Sequence, residues 1–418
     1  MTDNLICGID IGSSKIATVV GVNSVETDEL KIIGFNTTTA RGVRKGLVVD
    51  IKEATGAVED SVEKAERMAG HKINKAFVAV GGPHISSLNS HGIVAVSNPQ
   101  GEINEEDVQR VVEAAKAISL SSTRRIIEVI PRDYIVDGQS GIKNPIGMSG
   151  VRLEVETHII TASSTNLKNQ ERILSDLGIE NQGFVFSGMA SSEAVLTNTE
   201  KELGIVLVDI GAGKIDLSIY VDGALSYSSS IPIGARHISN DIAVGLRVSL
   251  DSAEKIKIFL SKSFDGKKKT SQINLKELDL PENLTEVSLK TLVDGIVAPR
   301  LEEIFKLIFE EIEKSGFGQQ IPSGLVITGG GALTIGMLET GKRVVGLPIR
   351  IGFPEKISGL VDEILDPQYS TTVGLLLYGI NNDFNDKDNF KNFGKILKDF
   401  KLGSSINNLK NFIKQFIP

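Results

Sequence analysis

The sequence is short of cysteine, of positive charge and of long apolar runs, and each shortage excludes a class of protein. The single cysteine, Cys7, excludes an internal disulfide. Asp10 and Lys15 interrupt the apolar N-terminus, so we expect neither a signal peptide nor a span there, and a reducing cytoplasm as the compartment. No stretch reaches the roughly 18 uninterrupted apolar residues of a transmembrane helix. The formal net charge of −8 argues against a body that binds nucleic acid.

The rest of the composition is typical of a globular protein with several domains. A chain of 418 residues is too long for one simple core, so we expect at least two domains. Hydrophobic residues make up 41% and charged residues 23%, which places the chain among ordinary soluble proteins. The 42 glycines fit a chain with many tight turns.

One short stretch occurs twice, once in each half of the chain. Gly8–Ile16 and Val208–Asp216 share the core Asp-Ile-Gly-x-x-Lys-Ile, and their aspartates, Asp10 and Asp209, are 199 positions apart. Apolar, β-branched runs flank both copies, which predicts strand, tight turn and strand. A single Gly-Ser turn is usually an ordinary hairpin, but the duplication favours a shared role.

These turns have the properties of a phosphate site. Small residues let a ligand approach the backbone closely, and consecutive N–H groups can face an anion. Each aspartate stands just before its turn, where a carboxylate can reach a metal directly or through water. Two such hairpins facing each other could hold the phosphates of one nucleotide from both sides. A third glycine-rich turn follows the predicted strand Gly324–Thr328. There a helix over Ala332–Leu338 is expected to offer its N-terminus to a phosphate.

Two helical stretches carry side chains with alternative interpretations. Met189–Leu196 is rich in small residues and is a candidate hinge helix; its Glu193 could orient a water, although a solvated helix glutamate is the commoner case. Glu254 and Lys257 lie one turn apart on a second helix. They could hold the adenine and ribose of a nucleotide, or form an ordinary surface pair.

The order of strands and helices predicts an α/β body with a small α+β domain inserted after residue 83. Within the insert, the strand Leu153–Ile160 alternates between apolar and polar residues, so we expect one of its faces in water. His84, His91 and His158 have no spacing typical of metal ligands, and we interpret them as surface or capping residues.

The end of the chain has a different composition. Polar residues from Asn381 predict a flexible linker, followed by two amphipathic segments, and residues 385–418 carry a net charge of +4. Apolar side chains on one stripe with lysines beside them suit the surface of an anionic membrane. In the last segment these residues are Ile406, Leu409, Phe412, Ile413, Phe416 and Ile417, with Lys410 and Lys414. Binding of one tail should be weak, and many tails on a polymer would bind through avidity.

The paired hairpins, the glycine run Gly329–Gly331 and the small-residue helix resemble the actin-like ATPase superfamily. More narrowly, the chain is similar to the FtsA family of bacterial cell-division proteins, from Gly8 to Gly379 and again in the tail. The most specific segments are Gly188–Leu196, Leu207–Gly213, Asp251–Lys257, Pro299–Glu303 and Tyr369–Leu376.

The resemblance implies a two-lobed actin-like α/β fold with an inserted α+β domain and a C-terminal amphipathic tail. Lobe 1 would hold subdomain 1A and the inserted subdomain 1C, and lobe 2 would hold subdomains 2A and 2B. The implied boundaries are 1–83 and 163–197 for 1A, 84–162 for 1C, 198–233 and 321–380 for 2A with the closing helices, 234–320 for 2B, 381–405 for the linker and 406–418 for the membrane helix.

The resemblance also implies ATP with Mg²⁺ in a cleft between the lobes. Asp10 and Asp209 would face the metal through its bound waters, and Glu254 and Lys257 would hold the nucleoside. The phosphates would meet Gly12, Ser13, Ser14, Lys15, Gly211, Ala212, Gly213 and Lys214, and the site would be closed by Gly329, Gly330 and Gly331. Lys214 stands where the family usually has a hydroxyl residue, which leaves weak or no ATP hydrolysis as the expectation.

For function, the resemblance implies a protein that polymerises into actin-like filaments and tethers the tubulin-like FtsZ to the inner membrane face. Arg300 and Glu303 are the candidates for contact with the FtsZ C-terminal tail, and the inserted domain would contact neighbouring protomers and later division proteins. The alternatives are a sugar kinase, an Hsp70-like chaperone and a PilM-like pilus-assembly ATPase. A kinase needs a base aimed at a sugar hydroxyl, for which only Glu193 is a candidate, and a chaperone needs a further substrate domain.

Overall fold

The computed structural model describes residues 4–23, 30–263, 272–355, 357–360 and 363–381. The lysine-rich stretch 265–270, the linker after residue 381 and both amphipathic tail segments lie outside these residues. The chain forms one compact unit over Met1–Leu377 and a second over Tyr378–Pro418, of which residues 378–381 are described and helical. Within the described residues, no helix combines the length and the apolar character that a membrane crossing requires.

The chain begins with the predicted hairpin and a covering helix. Helix α1 starts where the Asp50 side chain accepts the N–H of Glu53 at 3.0 Å, and it ends at Gly70 in the left-handed conformation. The elements of this part are β1 (Asn4–Ile11), β2 (Lys15–Asn23), β3 (Leu30–Thr39), β4 (Val43–Arg44), β5 (Leu47–Val48), α1 (Ile51–Ala69) and β6 (Lys75–Val80).

The inserted domain is a four-stranded sheet with one helix against it. Asn104 and Asp107 form a reciprocal capping box that fixes the start of that helix. The elements are β7 (Ser86–Ala95), α2 (Glu105–Lys116), β8 (Arg124–Val136), β9 (Gln139–Ile142) and β10 (Arg152–Ser163), in the sheet order β7-β10-β8-β9.

The prediction that β10 has one face in water is wrong. Nearly every residue of β10 is buried, because α2 covers one face while His158 on the other face reaches a strand of the second lobe. On this strand His158 contacts the second lobe and Glu154 pairs with His91 and Arg152, and period-two patterning cannot distinguish such buried polar residues from solvated ones.

The remaining elements build the second lobe and close the first. A π-helical turn, Val293–Val297, joins α8 to α9. The elements are α3 (Ser164–Asp176), β11 (Glu180–Phe186), α4 (Ser187–Val195), α5 (Asn198–Leu203), β12 (Ile205–Ile210), β13 (Ile215–Val221), β14 (Ala224–Ile231), α6 (Arg236–Leu246), α7 (Leu250–Ser263), β15 (Gln272–Asn274), β16 (Glu286–Ser288), α8 (Leu289–Leu292), α9 (Ala298–Ser315), β17 (Leu325–Thr328), α10 (Met337–Val345), β18 (Ile349–Ile351), β19 (Ser358–Gly359) and α11 (residues 370–381).

The two lobes repeat one sheet topology. The first sheet has the order β11-β6-β1-β2-β3-β19 and the second β14-β13-β12-β17-β18. In each, an antiparallel hairpin (β1–β2 or β12–β13) has a parallel strand beside its first member, β6 or β17. The sequence repeat therefore extends to a structural repeat, in which each turn joins the two strands of the equivalent hairpin.

The small residues of α4 allow α11 to approach closely. A Cβ at Gly374 would lie 1.7 Å from the carbonyl oxygen of Ala190, and a Cβ at Gly8 would lie 2.8 Å from Cβ of Leu375. Only glycine fits at these two positions, and the close crossing puts Thr371 of α11 near the second hairpin.

Candidate functional site

A cleft of about 680 Å³ lies between the two hairpins. It is lined from lobe 1 by the first turn and from lobe 2 by the second turn, the glycine run and the helices α6 and α7. Every residue expected to meet a phosphate, a nucleoside or a metal lines it: Asp10, Gly12, Ser13, Ser14, Lys15, Asp209, Gly211, Ala212, Gly213, Lys214, Glu254, Lys257, Gly329, Gly330 and Gly331.

The two turns are equivalent in their backbone hydrogen bonding. Gly12 donates its N–H to the carbonyl oxygen of Lys15 at 3.0 Å, and Gly211 donates to Lys214 at the same distance. They also lie against each other, because a Cβ at Gly213 would lie 3.0 Å from the hydroxyl of Ser13. The structure thus brings together two equivalent turns that the chain separates by about half its length.

Asp209 is held rigidly at the cleft floor. Its Oδ2 accepts hydrogen bonds from the hydroxyls of Ser191 at 2.5 Å and Thr371 at 2.9 Å, and the side chain is buried. Burial raises the pKa of Asp10 to about 6, assisted by the charges of Asp209 and Asp216 and opposed by nearby lysines. The site therefore holds carboxylates that a cation would stabilise.

These carboxylates fit a nucleotide-bound magnesium ion better than a metal held by protein alone. The described residues contain no group of three or more histidine, cysteine or acidic side chains arranged to hold a metal. Mg²⁺ is commonly bound through one or two carboxylates, several waters and the phosphates of its substrate. Asp10 and Asp209, one on each hairpin, provide such a pair.

The two lysines of the repeat point to different partners. Lys15 donates to Oε1 of Gln368 at 2.8 Å, and its ammonium lies 4.0 Å from the ring centroid of Tyr369. Burial lowers the pKa of Lys15 to about 8, against the charges of Asp10 and Asp366. Lys214 instead forms an ion pair with Asp216 and donates to the hydroxyl of Ser187 at 3.0 Å.

The far end of the cleft carries a second polar cluster, between α6 and α7. Lys257 is buried, and its ammonium donates to Oε2 of Glu254 at 2.8 Å and to the hydroxyl of Ser239 at 3.0 Å. Apolar side chains that are partly exposed, Leu250, Ile258 and Leu333, line the same cleft. The sequence left two interpretations of Glu254 and Lys257 open, a nucleoside contact and an ordinary surface pair. In the structure both residues line the cleft.

The glycine run borders the cleft and packs closely against Asp209. No helix follows it directly. Gly329 has φ +84°, and a Cβ there would lie 2.3 Å from Oδ1 of Asp209. The expected helix over Ala332–Leu338 is wrong: residues 330–336 form turns, and α10 begins at Met337 after Gly336 at φ +81°. A phosphate near this run would meet turn backbone and no helix dipole.

Glu193, the candidate for orienting a water, does not lie in the lining of this cleft. Its carboxylate forms an ion pair with Lys201 at 2.7 Å and lines a separate pocket with Tyr220 and Arg132. The location gives no support to a role in orienting an attacking water. Arg300 and Glu303 lie together on α9, where Arg300 forms a two-point contact with Asp241 of α6 at 2.5 and 2.9 Å.

Sequence reasoning missed several cleft residues. Asp216 had a usable signal, because the second copy of the repeat has this aspartate where the first copy has Ala17. The others come from distant parts of the chain with no local signal: Ser187, Arg236, Ser239, Asp251, Asp366, Gln368 and Thr371.

The interpretation of His158 as a surface or capping residue is also wrong. His158 is 1% exposed and lies between Asn89 and Ser228, with ring-nitrogen distances of 2.7 and 3.0 Å. His84 is partly buried, whereas His91 is exposed and its Nε2 lies 2.9 Å from Oε2 of Glu154. His158 therefore joins the inserted domain to the second lobe.

The fold is shared with solved structures of low sequence identity. A PilM-PilN type IV pilus biogenesis complex has a TM-score of 0.63 at 14% identity, covering 90% of this chain and 98% of that one. MreB 5 of Spiroplasma citri bound to AMPPNP has a TM-score of 0.56 at 14% identity, covering 93% of this chain and all of that one (100%). The class of protein is thus a two-lobed actin-like ATPase fold with an inserted domain.

Sequence comparison places the chain within that class. The family model Cell division protein FtsA matches residues 206–374, and the model SHS2 domain inserted in FTSA matches residues 82–161. Cell division protein FtsA of Pseudomonas aeruginosa is 38% identical over 90% of this chain and 89% of its own length. The FtsA of Borreliella burgdorferi is 40% identical over 90% and 91%. The chain belongs to the FtsA family of cell-division proteins.

Proposed function

We propose that this chain binds ATP with Mg²⁺ in the cleft and acts as a membrane tether for FtsZ at the division site. The observation that carries the nucleotide part is the pair of equivalent turns, each preceded by an aspartate and both facing one cleft. Backbone N–H groups of such turns bind anions, and a nucleotide presents its phosphates as a row of anions.

Charge decides where each part of the nucleotide lies. The phosphates lie between the turns, where Lys15 supplies positive charge and Asp10 and Asp209 hold the waters of a magnesium ion. That ion, when bound, neutralises phosphate charge between the two lobes. Glu254 and Lys257 face the ribose and base, and the apolar side chains of Leu250 and Ile258 offer the base a dry surface.

The proposal includes weak or absent turnover of ATP, and two of the candidate carboxylates support it. Glu193 lies outside it, and the Asp216 carboxylate is engaged by Lys214. A general base needs a free carboxylate within reach of the attacking water. The nucleotide therefore serves mainly to hold the lobes together in a form that assembles.

Family membership supports the cellular part of the proposal. In this proposal, protomers polymerise into actin-like filaments, and Arg300 and Glu303 on α9 contact the C-terminal tail of FtsZ. The inserted domain contacts neighbouring protomers and later division proteins, and the stripe from Ile406 to Ile417 binds the anionic inner membrane from the cytoplasmic side. The PilM-like alternative rests on fold similarity at 14% identity, and the relatives at 38% and 40% identity favour the division role.

Nucleotide binding is tested by titrating a fluorescent ATP analogue into the full chain with Mg²⁺. Asp209→Asn should weaken binding by about tenfold or more, because the metal-facing charge is lost while the shape stays the same. Asp222→Asn is the matched control: this aspartate is exposed, at φ +51°, a conformation that asparagine tolerates. Equal binding by both variants would reject the cleft as the site.

Membrane tethering is tested by co-sedimentation with anionic vesicles in the presence of ATP. The full chain should pellet with the vesicles and carry an FtsZ tail peptide with it, whereas a chain ending at Ser405 should stay in solution. Pelleting of both chains would move the anchor to the earlier segment, Phe390–Phe400. If neither pelleted, the tether proposal would fail.

A further inference from the structure

The inserted domain makes strand-like hydrogen bonds to the second lobe with its side chains. β7 is an edge strand of the inserted sheet, and β14 is an edge strand of the second-lobe sheet. The Ser87 hydroxyl donates to the carbonyl oxygen of Ser228 at 2.7 Å and accepts the Ser228 N–H at 3.2 Å. Two positions further along β7, the Asn89 amide donates to the carbonyl oxygen of Ser226 at 3.3 Å. Backbone groups that an edge strand offers to a neighbouring strand are thus taken by side chains of β7.

Two further side chains of the inserted domain bond the same strand. The ring of His158 lies 3.0 Å from the Ser228 hydroxyl, and Arg132 donates from Nε to the Ser226 hydroxyl at 3.0 Å. We call this set of hydrogen bonds to β14 the clasp. It is made by four residues of the inserted domain, Ser87, Asn89, Arg132 and His158.

Among the described residues, the inserted domain and the second lobe have separate hydrophobic cores. One cluster of buried apolar side chains lies within residues 103–155 and another within residues 206–349. A cavity of about 500 Å³ also lies at their boundary, lined by Arg132 and Tyr134 on one side and by Tyr220 on the other. Hydrogen bonds between polar groups exchange for hydrogen bonds to water at a small net cost. The clasp can therefore open while both sheets stay folded.

The inserted domain belongs to lobe 1 by its connections, so the clasp links the two lobes. The domain leaves the first sheet after β6 and returns to it through α3, which follows β10 directly. Arg125 of the domain also pairs with Glu171 of α3 at 2.7 Å. The clasp thus fastens lobe 2 to lobe 1 through residues other than those that line the cleft.

Strand β14 connects the clasp to the second turn of the cleft. It pairs with β13 along its whole length, and β13 begins directly after Lys214 of that turn. In this same structure the two turns meet, because a Cβ at Gly213 would lie 3.0 Å from the Ser13 hydroxyl. The arrangement in which the clasp is closed is therefore also the one in which the turns lie against each other.

We propose that the clasp couples the inserted domain to nucleotide binding: its closure holds the two turns together, and a bound nucleotide in turn keeps it closed. The inference rests on the proposed nucleotide function and concerns the regulation of that same site. The two states differ in whether Ser87 and Asn89 bond β14 or water, and the closed state presents both turns to one nucleotide. Because coupling between two sites is reciprocal, whatever draws the inserted domain away from β14 weakens nucleotide binding.

The first test compares the affinities of full-chain variants for a fluorescent ATP analogue with Mg²⁺. Ser87→Ala with Asn89→Ala should weaken binding by about fivefold to tenfold, because the lost hydrogen bonds shift the chain towards the open state, which binds less tightly. Ser90→Ala is the matched control, since this serine lies on the same strand and its hydroxyl donates to the carbonyl oxygen of Ala115 inside the inserted domain, at 2.9 Å. It should bind with native affinity. Native affinity in the double variant, or an equal loss in the control, would overturn the coupling.

The second test uses the native chain and measures the clasp itself. The N–H of Ser228 donates to Ser87, so its hydrogen exchange reports the opening of the clasp. Saturating nucleotide with Mg²⁺ should slow exchange at Ser228 by about fivefold or more, measured by mass spectrometry with fragmentation to single residues. The amide of Asp137, which donates to Arg152 inside the inserted domain, should exchange at the same rate with and without nucleotide.

The outcomes separate the two proposals. Exchange at Ser228 that does not respond to a bound nucleotide would overturn the coupling and leave nucleotide binding in the cleft intact. A native chain that binds no nucleotide even with Mg²⁺ would overturn both.

Discussion

Gly329 stands so close to Asp209 that a Cβ at position 329 would lie 2.3 Å from the carboxylate oxygen Oδ1. The glycine run of lobe 2 therefore fixes Asp209 from one side, while the hydroxyls of Ser191 and Thr371 fix it from the other. The glycine run therefore lines the cleft with its backbone and also fixes the position of Asp209.

Gly329→Ala should be far more damaging than an alanine at another left-handed glycine. Gly346 has a similar φ of +73° with open space around its Cα, so Gly346→Ala there costs only backbone strain, about 1–2 kcal/mol. Gly329→Ala adds a clash with Asp209 and should cost about 1–3 kcal/mol more. Urea denaturation of both variants measures the difference, and equal losses would contradict the close contact.

Glu193→Gln should leave nucleotide binding unchanged. Its carboxylate faces Lys201 in another pocket, so the variant loses one partly buried ion pair and about 1 kcal/mol of stability. Affinity for the fluorescent analogue and the rate of phosphate release should both match the native chain. A loss of either, comparable with that in Asp209→Asn, would return Glu193 to the list of site residues.

Arg300→Ala should weaken binding of an FtsZ tail peptide by about tenfold or more, because a charge-assisted contact is lost. Arg343→Ala is the control, since Arg343 also pairs with a glutamate of α9, Glu302, at 2.6 Å and is more exposed. Fluorescence anisotropy of a labelled peptide measures both. Equal weakening would point to general charge and away from a specific Arg300 contact. Because Arg300 also holds Asp241, melting temperatures must show that the variant is folded.

The buried contact of His158 with Ser228, between the inserted domain and the second lobe, should make the free energy of unfolding fall in mild acid. The 2.7 Å contact to Oδ1 of Asn89 puts the proton on Nδ1, so Nε2 accepts from the Ser228 hydroxyl. Burial, together with the charge of Arg132, lowers the pKa of His158 to about 3, from 6.5. The neutral form therefore contributes stability above pH 6.5, and that contribution is lost as pH falls towards the folded value.

The measurement is the free energy of unfolding between pH 6.5 and 4.5. His158→Gln should remove a slope of about 1.4 kcal/mol per pH unit, the effect of one proton. The control His71→Gln changes an exposed histidine and should keep the native slope. His84, whose pKa burial lowers to about 4, contributes equally to both variants. An unchanged slope in His158→Gln would show that this histidine is not buried between the inserted domain and the second lobe.

The sequence by itself determined the repeat and the chemistry that the repeat carries. Asp10 and Asp209, the glycines of both turns and the strands around them follow from local pattern, because a tight turn between β-branched runs is specified by its own residues. Helix α1 was predictable for the same reason: its N-cap, its apolar spacing and Gly70 all lie within the segment.

Only the tertiary structure decided which side chains share the cleft and which do not. Thr371 reaches Asp209 because Gly374 lets two helices cross closely, and Glu193 faces away although it lies near the hairpin in sequence. The strand β10 looked half solvated because alternation cannot show that a second lobe covers its polar face. Lys214 looked like one more phosphate ligand, and its pairing with Asp216 depends on glycines at 46 and 81, far away in the chain. Contacts between distant segments depend on how the whole chain packs. The residue pattern of a single segment does not encode them.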